Sequence, residues 1–182
     1  MAGTEKKMVK KYMIGIFLYK DMEETDVVRI KKSTALELAL NPETQDYDYI
    51  TDENPTTEVI RYKPSLNQPL TMYKGEPDYE LVFPKFFNLN VGEKAKCKVL
   101  VVFMQEEQEK TVGEETVKAF KTWKNEATLT FSSLNGVDST LTMDINFGGH
   151  VEKGYCYPDT DKKPVFVKES DDGSGWVDPF EL

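Results

Sequence analysis

The stretch "TLTFSSLNGVDSTLTMDINF", residues 128–147, constrains the fold more than any other part of the chain. Two runs of alternating apolar and polar residues, the period of a half-buried strand, flank Asn135 and Gly136, which both tolerate the positive φ of a tight hairpin turn. An antiparallel hairpin is expected there. The same enrichment in β-branched and aromatic residues marks strands over residues 12–19, 34–40, 98–104, 127–132, 140–147 and 165–168.

Helical spacing is confined to two segments. In "DYELVFPKFFNL" the residues Tyr79, Val82, Phe83, Phe86 and Phe87 fall on one helical face behind a capping Asp78, with Pro84 expected to kink the segment or start a shorter helix. In "GEETVKAFKTW" Val117, Phe120 and, more loosely, Trp123 share a face, and Glu114 and Glu115 suit a first turn. The expected fold is therefore mainly β, a sandwich or barrel with one flanking α-helix and a possible second. Residues 1–168 read as a single β domain, with a basic N-terminal arm at 1–11, an extended loop at 41–65 and an acidic tail at 169–182. The stretch "DYITDENPTTEVIRYKP", residues 48–64, is too polar for a core strand and too rich in proline and β-branched residues for a helix. It reads as irregular, as do "QEEQEKTVGEE" at 105–115 and the tail.

A hydrophobic fraction of 39% and a charged fraction of 30% suit a folded chain, and 182 residues suffice for a real core. The net charge of -9 opposes tight wrapping of nucleic acid, which requires clustered cations. Lys6, Lys7, Lys10 and Lys11 against Glu5 read as a solvated basic terminus. Two cysteines, Cys97 and Cys156, permit at most one bridge, and two free thiols in a reducing cytoplasm are expected. The apolar run "YMIGIFLY" is too short to span a bilayer and carries no cleavage site, so neither membrane insertion nor export is expected.

Catalytic motifs are lacking. The one histidine, His150, reads as a strand-end or turn residue, and neither cysteine has an activating neighbourhood. "DTDKKP" and "SDDGSG" read as turns without calcium-loop spacing, and "FGGHVEKG" lacks the spacing of a phosphate loop. The expectation is a non-enzyme with no cofactor and no metal.

The block "NPETQDYDYITDENPTTEVIRYKPSLNQPLTMYKGEPDYELVFPKFFNL" followed by "KVLVVFM", together with "FKTWKNEATLTFSSLNGVDSTLTMDINFGGHVEKG", resembles the major tail tube proteins of long-tailed bacteriophages, particularly those of Gram-positive hosts. The resemblance implies a tail-tube sandwich or barrel assembled in the host cytoplasm into hexameric rings that stack into the virion's tail. It also implies partners: further copies of the chain, the tape measure protein, the tail terminator and distal tail proteins. Genomic DNA would pass through the lumen without specific binding. On this reading the 41–65 segment is an inter-subunit arm, with contacts at Tyr49, Ile50, Pro55, Val59, Ile60 and Tyr62, joined by Met8 and Tyr12 of the N-terminus. A contractile-tail or secretion-apparatus tube subunit shares the same ring architecture. A reading of a different class is a monomeric β-sandwich binding carbohydrate or protein through Tyr47, Tyr49, Tyr62 and Trp176.

Overall fold

The computed structural model describes residues 8–168, except 25 and 52; the acidic tail, with Trp176, lies outside the described residues. The fold is mainly β and antiparallel, with one α-helix. In chain order the strands are β1 (Ile14–Tyr19), β2 (Val27–Arg29), β3 (Glu37–Ala39), β4 (Pro42–Tyr47), β5 (Thr56–Tyr62) and β6 (Ser65–Thr71). Helix α1 (Pro77–Phe87) precedes β7 (Lys96–Val112), β8 (Glu115–Asn135), β9 (Thr140–Pro158) and β10 (Pro164–Lys168). Hydrogen bonding connects β2-β1-β7-β8-β9-β6-β3, with β10 also on β9, while among the described residues β4 and β5 pair only with each other.

The chain forms two compact units. One gathers the residues up to Lys31, Cys97–Glu126 and the chain from His150 onward; the other gathers Lys32–Lys96 and Ala127–Gly149. In the first unit the near-continuous apolar run of β7 is buried on both faces, since Val99, Leu100, Val101 and Val102 are all at most 3% exposed. Leu100 and Val102 pack with Tyr19 and Cys156, flanked by Phe17, Phe120 and Phe166. Glu24, in the left-handed region at φ 63, is held by Lys98 Nζ at 2.6 Å and Lys124 Nζ at 2.7 Å. Burial alone would raise its pKa, but the hydrogen bonds and charges of Lys124 and Lys98 outweigh this and hold the carboxyl below its usual range.

In the second unit the expected alternation is seen directly. Cross-strand partners Leu66 and Ile145, Gln68 and Met143, and Leu70 and Leu141 lie on the buried face, while Asn67 and Asp144 pair on the opposite face through a 2.6 Å hydrogen bond. Each buried Leu, Ile or Met stabilises by roughly 1.5–3 kcal/mol. The expected hairpin joins β8 to β9, but its turn differs in detail. The positive φ falls on Ser139 (50°), and Asn135 instead accepts hydrogen bonds from the Val137 and Asp138 amides through Oδ1.

Helix α1 begins with Pro77 in its first turn, takes Asp78 and Glu80 near its N-terminus, and accommodates Pro84 without interruption. Phe86 packs edge-on against Phe131 of β8, at 5.7 Å between centroids. The second helical segment is not a helix: Val117, Phe120 and Trp123 lie in β8. Their three-residue spacing imitated a helical face, but pairing with β7 prevailed. Lys118 meets Glu107 at 2.7 Å and Lys121 meets Glu106 at 3.5 Å. The charged run at 105–115, expected to be irregular, is thus paired strand that turns at Gly113 (φ 62).

Candidate functional site: an exposed two-stranded arm

The segment expected to be an extended loop is a β-hairpin. Strands β4 and β5 pair from Pro42 opposite Tyr62 to Tyr47 opposite Thr56, with a register shift between Glu43 and Thr44 that leaves Ile60 without an opposite residue. The irregular reading failed for a physical reason: a hairpin wet on both faces satisfies its backbone groups across the pair and needs no apolar alternation. Every residue of β5 is exposed, and in β4 only Tyr47 is even half-buried.

The arm continues the β3–β6 pair, which ends at Ala39 opposite Ser65. Two residues break the ladder. Asn41 adopts φ 43 and donates through Nδ2 to Lys63 O at 3.1 Å and Ser65 Oγ at 3.0 Å. Pro64, which has no N–H to give, is buried where the arm leaves the body. The Lys63 amide closes the base by donating to Leu40 O at 3.0 Å.

Charges stiffen this base. Glu43 Oε2 accepts from Arg61 Nε and lies 2.7 Å from both Arg61 and Lys63. Hydrogen bonds from Arg61 and then Lys63 pull the Glu43 pKa down to about 2, so these ion pairs persist until pH falls to that value. Further along, Thr57 Oγ1 donates to Asp46 Oδ1 at 2.6 Å. Near the tip Tyr47 and Tyr49 stack with centroids 5.9 Å apart.

The structure places Tyr49, Ile50, Pro55, Val59, Ile60 and Tyr62 together on this arm, all exposed, with Ile50 at 105%. Met8 and Tyr12 are also exposed but belong to the other unit, Tyr12 within the 3₁₀ turn at Lys11–Met13 and Met8 just before it. A second apolar surface lies on the helix expected from the sequence: Tyr79, Phe83 and Phe87 form a stacked ladder on α1, followed by exposed Leu89 and Val91.

Of the remaining candidates, His150 lies within β9 with an exposed side chain, and its carbonyl accepts from Asn125 Nδ2 at 2.9 Å. Both cysteines are buried, and neither is in a disulfide. In "DTDKKP" Asp159 Oδ1 accepts from the Asp161 and Lys163 amides, a turn as expected; "SDDGSG" reaches beyond the described residues. Among the described residues no three His, Cys, Asp or Glu side chains cluster as a metal site would require, and no helix is long and apolar enough to cross a membrane. No protein-family model matches the chain, and no curated protein matches it in sequence.

Proposed function

We propose that this chain is a structural subunit that polymerises with copies of itself, in the manner of a phage major tail tube protein, into stacked hexameric rings that conduct DNA. The observation that carries the reading is the arm. A two-stranded hairpin alone in water is marginally stable at best, and among the described residues no strand residue of this one is buried. Val59, Ile60, Tyr62, Tyr49 and Ile50 would gain their burial from another chain. The net charge of -9 suits a conduit past which phosphates slide without sticking. The tape measure protein, tail terminator and distal tail proteins would be the further partners, and no catalysis is involved.

Negative-stain electron microscopy across a concentration series, with light scattering on the same samples, tests this. Rings or tubes support it, and a chain that remains monomeric at every concentration, even with purified tail-tip complex added, refutes it. The stacked Tyr47–Tyr49 pair favours one other reading, a monomeric module with an aromatic platform for sugar rings. Glycan binding that is lost with both tyrosines, in a chain that stays monomeric, would favour that reading instead.

A further inference from the structure

We propose that the acidic arm of one copy receives residues 8–10 of a second copy as an added strand, with the 3₁₀ turn at Lys11–Met13 bringing Lys11 and Tyr12 beside it. This rests on the self-assembly reading and names the two surfaces that meet. On the receiving side, Glu43 is already neutralised by Arg61 and Lys63, and Asp46 is hydrogen-bonded to Thr57. Asp48, Glu53 and Glu58 are exposed and have no cation partner among the described residues. The uncompensated negative charge therefore sits on β5 and the tip, next to exposed Val59, Ile60 and Tyr62. Among the described residues β4 and β5 pair only with each other, so each presents an edge of backbone groups ready to template another strand.

The entering side has the opposite character. Lys10 and Lys11 are exposed and have no acidic partner among the described residues, and they are interleaved with Met8, Val9 and Tyr12 at 82%, 51% and 62% exposure. Lys10 already has extended backbone at φ -101 and ψ 153, and residues 8–10 pair with no strand. Two unpaired cations among exposed apolar residues thus face three unpaired anions among exposed apolar residues, all specified by one chain. Exposed ion pairs are individually weak, so ladder hydrogen bonds and apolar burial supply the affinity, while the charges select the partner and its register. Because one surface meets a different one, the contact is head-to-tail, the kind that closes rings or propagates filaments.

Charge reversal tests the contact. The variants are Lys10→Glu with Lys11→Glu, and separately Glu53→Lys with Glu58→Lys; all four positions are exposed, and circular dichroism checks that each variant folds. Each variant alone is expected to need about tenfold more protein to assemble, and an equimolar mixture of the two is expected to recover wild-type assembly, since each reversed arm then meets a reversed terminus. General charge repulsion predicts otherwise. The hairpin reversal makes a chain of net charge -9 less negative and would then promote assembly. Variants that assemble like wild type, or a mixture that fails to recover, overturn this contact while leaving self-assembly standing. A wild-type chain that never assembles overturns both.

Discussion

Excising the arm separates its role in assembly from any role in folding. The Lys63 amide lies 3.0 Å from Leu40 O and 3.3 Å from Asn41 O, so replacing residues 42–62 by Gly-Gly leaves a two-residue hairpin turn at a base that is already closed. No strand residue of the arm is buried, so no core burial is lost. The segment bridging the Ala39–Ser65 pair shortens from about 25 residues to about six, and the smaller loop-closure cost contributes about 1.3 kcal/mol in favour of the body. For a chain of this size that raises Tm by about 3–5 °C. Differential scanning calorimetry of the monomer gives the stability, and sedimentation velocity with electron microscopy gives the assembly. The expected variant is equally or more stable and does not polymerise. A Tm lowered by about 5 °C or more would mean the arm contributes to the body's stability, and normal tubes would remove it from the interface.

Three other outcomes are expected. Gly154→Ala, whose added methyl would run into Val167 O and the Phe166 ring, should destabilise by about 1–3 kcal/mol and show early hydrogen exchange in β10; an unchanged Tm would contradict the tight β9–β10 approach. Glu24→Gln strands the Lys98 and Lys124 ammoniums and should cost about 1–3 kcal/mol at neutral pH. Since the folded-state Glu24 pKa is depressed, its contribution is complete above the usual carboxylate range and lost as pH falls below it, so wild-type and variant denaturation curves should converge in acid and not in base. Burial pushes the Cys156 thiol up to about 12, so at pH 8 a thiol reagent should leave it unlabelled in the native chain and label it only on unfolding; rapid native labelling would contradict the packed core.

Legibility in the sequence followed the number of faces each strand buries. The 140–147 run buries one face, and Leu141, Met143 and Ile145 announced it by strict alternation. The apolar run ending in Phe103 buries both faces along Val99–Val102 and was legible from β-branched density. The arm buries neither face, so period-based reading had nothing to register; only its exposed Val59, Ile60 and Tyr62 hinted at strand. At Val117, Phe120 and Trp123, local spacing pointed to a helix, while the decisive partner, β7, was supplied by the adjacent charged run. The arm residues named from the sequence as candidate contacts all lie on the one exposed hairpin, but their register, and the clamp of Glu43 by Arg61 and Lys63, depend on pairings that no linear pattern records.

The break in the ladder at Asn41 and Pro64 also limits how such an arm can vary in length. The arm beyond it buries no strand residue, but consecutive strand residues face opposite ways, so one residue added to each strand would turn the proposed contact face the other way. Workable changes come as two residues per strand, each step extending the reach by about 7 Å. The unopposed Ile60 shows how an odd insertion is absorbed: it is left as a bulge, and the added local twist re-aims the tip while the paired residues on either side keep their partners.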